Sequence, residues 1–317
     1  MGLSQVVKAG VVQGNVFQKI FEYSKKNNFA IPCINVINAD SINAVLEAAS
    51  NSNSSIIVQI SKENAKLFAG KISKNDASIL GAINVANHIH TVASSYKIPV
   101  VLTTEYVSSK NLDWINELLE IGMDYYKKNG RAMYSSYAID VSEESYADSI
   151  KIAKKYLKKA SKIGMGLEIK LNIKYAYSNE LSNIYEELKK ISPNFMVSFS
   201  FLDEELLDKK LLFSELQKMI EKSLRLKSKP LNLVFDGDYC LKKEIREMIN
   251  TGVVKVNLDV SIKNSFCEGL NNYDEIKKEN SSIGKYIEPK KWLREIQKMI
   301  IKKVNSSIKE YNAKNTL

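Results

Sequence analysis

Short apolar runs alternate along the chain with longer segments in which apolar residues recur at the spacing of a helix. The short runs predict strands at 30–34, 56–60, 100–103, 132–137, 166–171, 195–199, 231–235 and 253–257. The longer segments predict helices at 16–26, 41–51, 77–96, 111–129, 142–162, 180–191, 205–226, 242–250 and 289–311. Several strands are apolar throughout, which is typical of parallel strands that are covered on both faces.

This alternation of strands and helices predicts the fold class. Strand–helix repeats form a parallel sheet, and eight such strands are the number found in a (β/α)8 TIM barrel. We therefore expect an α/β protein with a single barrel domain over residues 1–317, an extra N-terminal helix and a long C-terminal helix. In such a barrel the chemistry lies on the loops that follow the strands.

The chain is strongly basic, with 46 lysine and arginine residues against 36 acidic residues and a formal net charge of +10. Only four of the basic residues are arginine, whereas binding to phosphate backbones favours arginine with interleaved aromatics. A nucleic-acid partner is therefore not expected, although the basic surface leaves it open. The lysine-rich helix face within 151–162 is expected to be solvated, with an acidic protein, RNA or a membrane surface as the alternative partner.

Other features of the sequence predict a cytoplasmic protein. No apolar run approaches the roughly 18 residues that a membrane helix needs, and the first residues lack the charged and apolar regions of a secretory signal. The three cysteines, Cys33, Cys240 and Cys267, are too scattered for a disulfide framework. We therefore expect a reducing, cytoplasmic setting without a membrane partner.

Segments over nearly the whole chain match one enzyme family. They are the residues at 28–32, 40–47, 57–61, 161–165, 167–169, 190–193, 252–257 and 292–294. From Gly10 to about Asn312 the chain resembles the zinc-dependent class II fructose-bisphosphate aldolases. The resemblance implies the barrel fold and a dimer, and it implies that the family's chemistry lies at the strand ends.

The positions that carry chemistry in that family differ here. The family binds zinc mainly with three histidines, but this chain has only His88 and His90. These two are two residues apart in one helical segment, so their side chains diverge and cannot chelate one metal. The resemblance places Glu105 where the family has its acid–base aspartate. It places the former metal-ligand positions at Tyr106, Lys170, Glu205 and Asp236.

These replacements predict the loss of the metal site. Tyrosine is a poor zinc ligand near neutral pH, and a lysine brings positive charge into the pocket. The sequence therefore predicts a catalytically inactive aldolase homologue, without zinc and without catalytic residues, that is retained as a structural or binding subunit of a larger assembly. Lys170 is expected to replace the charge of the metal, within about 4 Å of Glu205 or Asp236.

Some family positions are kept. Asn35, Ser61 and Arg294 match residues that bind one substrate phosphate, the arginine being donated across the family's dimer. Lys255, Asn257 and Asp259 also persist at the eighth predicted strand. These residues either survive as hydrogen bonds at the barrel mouth and by shared ancestry, or they keep residual phosphate binding. We also expect either a homodimer or pairing with another chain in a protein complex.

Two alternative functions remain open. The first is an active aldolase-type lyase on phosphosugars, in which Lys170 acts as a Schiff-base nucleophile or oxygen ligands bind Mg²⁺. The second is a regulatory partner that offers Arg294 to the site of a genuine aldolase. The oxygen ligands for Mg²⁺ would come from Glu105, Glu205, Asp236, Asp238 and Asp259.

Overall fold

The structure is a computed structural model that describes residues 2–72, 77–177, 180–200, 209–238, 240–279 and 289–317. Its described strands form one sheet of ten in the order β1-β4-β3-β2-β10-β9-β8-β7-β6-β5. All nine neighbouring pairs are parallel. The strands are β1 Gly10–Val11, β2 Ile31–Asn35, β3 Ile56–Ile60, β4 Pro99–Thr104, β5 Tyr106–Ser108, β6 Ser136–Asp140, β7 Gly166–Asn172, β8 Phe195–Ser200, β9 Leu233–Asp236 and β10 Val253–Leu258.

Helices connect these strands in sequence. They are α1 Asn15–Lys26, α2 Ala39–Asn51, α3 Lys62–Ala69, α4 Ala77–Val92, α5 Asp113–Asn129, α6 Tyr146–Ser161, α7 Glu180–Lys189, α8 Lys209–Leu224, α9 Lys242–Asn250, α10 Val260–Glu279 and α11 Pro289–Glu310. The predicted α/β class with a parallel sheet is confirmed, and the sheet is curled into a half-barrel. Each predicted strand is present, β3 with the predicted bounds and the others with shifted bounds, whereas β1, β5, α3 and α10 are additional to the prediction.

The start of α6 differs from the predicted start at residue 142. The helix begins at Tyr146, because Ser145 is its N-cap and accepts a hydrogen bond from the backbone N–H of Asp148 at 3.2 Å. Ser142 instead donates its hydroxyl to the Asp140 carboxylate at 2.6 Å. Serine side chains accept from the first turn only when they stand directly before it, which identifies Ser145 rather than Ser142 as the cap.

The core lies on both faces of the sheet. Every residue of β2, β3, β4 and β8 is buried, as expected for parallel strands between helices and a filled interior. The C-terminal helix packs on α2, where the Gln297 amide donates to Asp40 at 3.2 Å. The chain ends are tied together, since the backbone N–H of Leu3 donates to the Thr316 carbonyl at 3.0 Å.

In the part of the chain that the structure describes, no helix combines the length and the apolar character that crossing a membrane requires.

Candidate functional site

The carboxyl ends of the parallel strands bring polar side chains to one edge of the sheet. Asn35 ends β2, is 2% exposed, and donates its amide to Asp259 just after β10 at 3.1 Å. Asp259 also forms an ion pair with Lys263 of α10 at 2.6 Å. Glu105 follows β4 and donates its backbone N–H to the Ile60 carbonyl at 2.9 Å. We call Asn35, Glu105, Asp259 and Lys263 the strand-end cluster.

The surroundings of Glu105 change the pKa of its carboxyl group. Burial raises its pKa, and the nearby Asp259 carboxylate raises it further. The Lys263 and Lys255 ammonium groups and the amide of Asn35 oppose this effect without reversing it. A carboxyl with a raised pKa can hold and release a proton closer to neutral pH. Glu105 is therefore the residue of the strand-end cluster that is best suited to proton transfer.

Beneath this cluster a buried ion pair crosses the interior of the curled sheet. Lys255 of β10 and Glu168 of β7 are both fully buried, and their charged groups lie 2.6 Å apart. The Lys255 ammonium also donates to the Gln59 amide oxygen at 3.2 Å, and the Cys33 thiol donates to the same oxygen at 3.2 Å. Burial raises the pKa of Cys33 to about 12, so this thiol stays neutral.

The charge state of Lys255 depends on its partners. Burial alone would lower its pKa, but the anionic groups around it, including the Glu168 carboxylate in contact, leave the pKa above its ordinary value. Lys255 is therefore a charged ammonium that is held in place rather than a neutral amine. Reasoning from sequence missed Glu168 and Gln59 as its partners. The signal was the period of two along β7, which puts Glu168 and Lys170 on one face of that strand.

Tyr106 and Lys170 lie together at the former metal positions. The Lys170 ammonium is 5.3 Å from the centroid of the Tyr106 ring. Burial raises the pKa of Tyr106 well above its ordinary value, and the carboxylates of Glu168 and Asp236 raise it further. The phenol thus stays protonated, and a protonated phenol is a poor metal ligand.

Of the two partners predicted for Lys170, Asp236 is wrong and Glu205 stays untested. The Lys170 ammonium lies 3.9 Å from Asp140, not beside Asp236. The reason is register, because Asp140 of β6 and Lys170 of β7 are paired positions of neighbouring strands and so share one face of the sheet. Asp236 instead accepts from the Asn257 amide at 2.8 Å. Glu205, the other predicted partner, lies outside the described residues.

Asp238 has a structural role at the start of α10. It accepts hydrogen bonds from three successive backbone N–H groups, those of Asp259, Val260 and Ser261, at 2.7, 2.9 and 3.0 Å. Burial would raise its pKa, but these hydrogen bonds outweigh burial and lower it. Both carboxylate oxygens of Asp238 are therefore engaged in capping α10.

A zinc site of the kind that the resemblance implies needs at least three suitable ligands. Among them no group of three histidine, cysteine, aspartate or glutamate side chains is placed to hold a metal ion. His88 contacts Asn43 at 2.9 Å and His90 contacts the Met133 carbonyl at 3.0 Å, both away from the strand ends. The described residues alone therefore supply no complete ligand set for the family's zinc, and Glu205, one of the former ligand positions, lies outside them.

The three predicted phosphate-binding residues lie in two places. Asn35 ends β2 and Ser61 follows β3, where the Ser61 hydroxyl caps α3 by accepting from the backbone N–H of Asn64 at 2.9 Å. Arg294 of α11 instead forms a two-pronged ion pair with Glu47 of α2, with both distances 2.7 Å. This pair lowers the pKa of Glu47. Within one chain the structure brings Asn35 and Ser61 to neighbouring strand ends, and Arg294 contacts α2.

Comparisons with known proteins all point to one family. The sequence pattern described as "Fructose-bisphosphate aldolase class-II" matches residues 15–180 and 203–316. The "Fructose-bisphosphate aldolase class 2" of Escherichia coli K12 is 36% identical over an alignment of 352 residues, gaps included, that covers 98% of each chain. A Campylobacter jejuni relative named "Fructose-bisphosphate aldolase" is 35% identical over 360 residues, 99% of each chain.

A solved structure agrees with these relatives. The crystal structure of fructose-bisphosphate aldolase from Campylobacter jejuni superposes on this chain with a TM-score of 0.94 and 34% identity, and the match covers 100% of both chains. The similarity thus includes the whole arrangement of strands and helices. It places the strand-end cluster in the same architectural position as the strand ends of a solved aldolase.

Two predictions from the sequence are wrong in the light of these comparisons. The predicted inactive homologue is contradicted, because relatives that match this chain along almost its whole length are named as aldolases. The predicted absence of zinc is contradicted as well, because the matching family is zinc-dependent. Both predictions rested on residue types at a few positions, and Glu205 among these lies outside the described residues.

Proposed function

The chain belongs to the class II fructose-bisphosphate aldolase family, and on that basis we propose that it is an aldolase-type carbon–carbon lyase that acts on fructose 1,6-bisphosphate. The observation that carries this proposal is the strand-end cluster, in which Glu105 with its raised pKa shares its surroundings with Asn35 and Asp259. The similarity in sequence along almost the whole chain supports the substrate class.

Glu105 is proposed to move the proton of the reaction. Aldol cleavage breaks the C3–C4 bond of the sugar as the C4 hydroxyl loses its proton, and the electron pair stays on C3 as an enediolate. The Glu105 carboxylate, as a general base, takes a proton at one of its oxygens, and as an acid it returns a proton to the three-carbon product. Zinc, when bound, supplies Lewis-acid stabilisation of negative charge in this family.

Two strand ends are proposed to hold one substrate phosphate. Asn35 and Ser61 are the kept family positions, and the Ser61 hydroxyl stands at the start of α3. We propose that Arg294 of a second subunit completes this phosphate site in a cytoplasmic homodimer. Its ion pair with Glu47 is partly exposed, so its release from Glu47 costs little.

We also propose that the curled sheet is a complete (β/α)8 barrel in one domain over residues 1–317. Hydrogen bonds that link β4 to the segment before β6 support closure. The Ser135 backbone N–H donates to the Leu102 carbonyl at 2.8 Å, and the Leu102 N–H donates to the Ser135 hydroxyl at 3.0 Å. A closed barrel would fix all strand ends around one mouth.

The proposed activity is tested with the purified full-length protein. Cleavage of fructose 1,6-bisphosphate is followed by enzymatic reduction of the released triose phosphate, before chelation, after chelation and after zinc is restored. We expect turnover with zinc and a loss of at least about tenfold after chelation, since the family is zinc-dependent. Absence of cleavage at every metal content, in protein that is folded by circular dichroism, would overturn the proposal.

The proposed homodimer predicts a specific effect of Arg294. Arg294→Ala is expected to raise KM for fructose 1,6-bisphosphate by about tenfold or more, the effect of one lost charged hydrogen bond. Its effect on folding stability is expected to stay within about 1 kcal/mol, because the pair with Glu47 is partly exposed.

The matched control for Arg294 is Lys298→Ala on the same helix, where Lys298 pairs with Glu295 at 2.6 Å. This change is expected to leave KM within about twofold of wild type. Sedimentation at micromolar concentration measures the oligomeric state. A monomeric protein, or an unchanged KM in the arginine variant, would contradict the shared phosphate site.

A further inference from the structure

A cavity of about 660 Å³ opens at the face opposite the strand-end cluster. Its walls come from the ends of α1 and α7 and from the loop after α8, which are the segments that lead into β2, β8 and β9. Five lysines line it against a single carboxylate, that of Glu22. The lysines are Lys25, Lys26, Lys189, Lys227 and Lys229. We call this pocket the lysine cavity.

The ammonium group of Lys25 is held in place by hydrogen bonds within this cavity. It is half-buried and donates to the backbone carbonyl of Lys229 at 2.9 Å and to that of Leu231 at 3.5 Å. Burial lowers the pKa of Lys25 to about 8, and repulsion from Lys189 and Lys229 acts in the same direction, against the attraction of Glu22. Positive charge is therefore concentrated here with too little negative charge to balance it.

Helix ends explain only part of this cluster. Lys25 and Lys26 lie in the last turn of α1, and Lys189 lies in the last turn of α7. Cations are favoured there, because the carboxyl end of a helix carries about half a negative charge. Lys227 and Lys229 lie beyond the end of α8, in the loop. The Lys229 ammonium reaches back across the cavity to the Asn28 side chain at 2.9 Å.

We propose that the lysine cavity is a second ligand site, which binds a small anion carrying two or more phosphate groups. Its volume lies in the usual range for sites of small molecules, and lysine ammonium groups bind phosphate as point charges. The site is concave and is built from the ends of three connecting segments. Such a shape suits a compact anion better than an extended RNA strand, which tracks a longer groove.

Proton uptake on binding follows from this arrangement. A bound anion favours the charged form of Lys25 and so raises its pKa from about 8. At pH 8 the protein is therefore expected to take up a fraction of a proton when the anion binds. The groups that face Lys25 across the cavity are Glu22 and Lys26 of α1, Lys189 of α7, and Lys227 and Lys229 of the loop.

The test uses inorganic pyrophosphate and the full-length protein in calorimetric titrations at low salt. We expect one saturable site in the wild type, and a dissociation constant at least about tenfold weaker in the double variant Lys189→Gln, Lys229→Gln, where each lost charged contact is worth up to about a factor of ten. The matched control is Lys155→Gln, Lys158→Gln, which removes two exposed lysines from α6. This control is expected to change the dissociation constant by less than about twofold.

Several outcomes would overturn the proposal. Binding that is not saturable, or that the control weakens as much as the cavity variant does, would show diffuse charge attraction only. Tight binding of a single-stranded RNA that depends on the cavity lysines, without pyrophosphate binding, would assign the site to another class of ligand. Titrations in buffers of different ionisation enthalpy measure the proton uptake, which should disappear in Lys25→Met, and its absence in the wild type would contradict the role of Lys25. None of these readouts depends on turnover.

Discussion

Replacement of Glu105 by glutamine is expected to lower kcat for cleavage of fructose 1,6-bisphosphate by about 10²- to 10⁴-fold, the usual contribution of a positioned acid–base group. Glutamine keeps the size of the side chain but has no carboxyl group to accept and return a proton. KM is expected to change little, because the substrate phosphates are bound by other residues. Steady-state kinetics on the two proteins measures both constants.

The same variant is expected to be at least as stable as the wild type at pH 7. Burial raises the pKa of Glu105 in the folded state, so the folded protein is more stable when this carboxyl is protonated. Its stabilising contribution is present below the pKa of the unfolded state, about 4.3, and is lost as pH rises through the folded pKa. Glutamine cannot ionise, so the difference in melting temperature should be larger at pH 7 than at pH 4.

The control for this prediction is Glu117→Gln on α5, which makes the same chemical change at an exposed position. It is expected to change neither kcat nor the melting temperature beyond error. If Glu105→Gln retains kcat within about threefold of wild type, Glu105 is not the acid–base group. If it instead melts lower at neutral pH, then the carboxylate is needed for folding, and the argument from its raised pKa fails.

The strands could be predicted because their signal is local. In β3 and β8 every residue is buried, and short runs that are mostly apolar between turns indicate such strands directly in the sequence. The helix α3 was not predicted, since it has only eight residues and begins immediately after β3. Its first turn is set by the Ser61 cap, and a lone serine after a strand is too common to indicate a helix.

The partners of charged residues could not be predicted from the sequence. Lys170 pairs with Asp140 because of the register between β6 and β7, and register is set by packing over the whole sheet. Glu168 meets Lys255 from a position 87 residues away along the chain. The sequence indicates that such residues lie at the strand ends or in the interior. It does not indicate which of them form ion pairs with each other.

The error about activity has a related cause. The predicted inactivity rested on the residue types at Tyr106, Lys170 and Asp236, each considered as the replacement of one ligand. Identity of 35–36% along the whole chain to proteins named as aldolases is the stronger observation. A substitution at one position reports on a site only when the other residues around it are known. The strand-end cluster supplies those surroundings for Glu105, whereas the residues at 201–208 lie outside the described part of the chain.

The buried pair of Lys255 and Glu168 predicts the largest effect on stability. Both side chains are fully buried and their charges are 2.6 Å apart. Lys255→Met fills a similar volume but leaves the Glu168 carboxylate buried without its counter-charge. Breaking such a pair costs about 3–5 kcal/mol, and we expect the free energy of unfolding at pH 8, measured with urea, to fall by that amount.

The double variant Lys255→Met, Glu168→Gln separates the ion pair from the packing. It is expected to recover part of the free energy of unfolding that Lys255→Met loses, because no unpaired charge is then left buried. The difference between the double variant and the sum of the single variants measures the coupling between the two side chains. The loss in the single variant should also be smaller at pH 5 than at pH 8, since a lone buried carboxyl has a raised pKa and is protonated more easily at the lower pH. Single losses that add up in the double variant, or a loss in Lys255→Met that does not change with pH, would show that the two groups stabilise the fold independently. The interior ion pair would then not be the interaction that links β7 to β10.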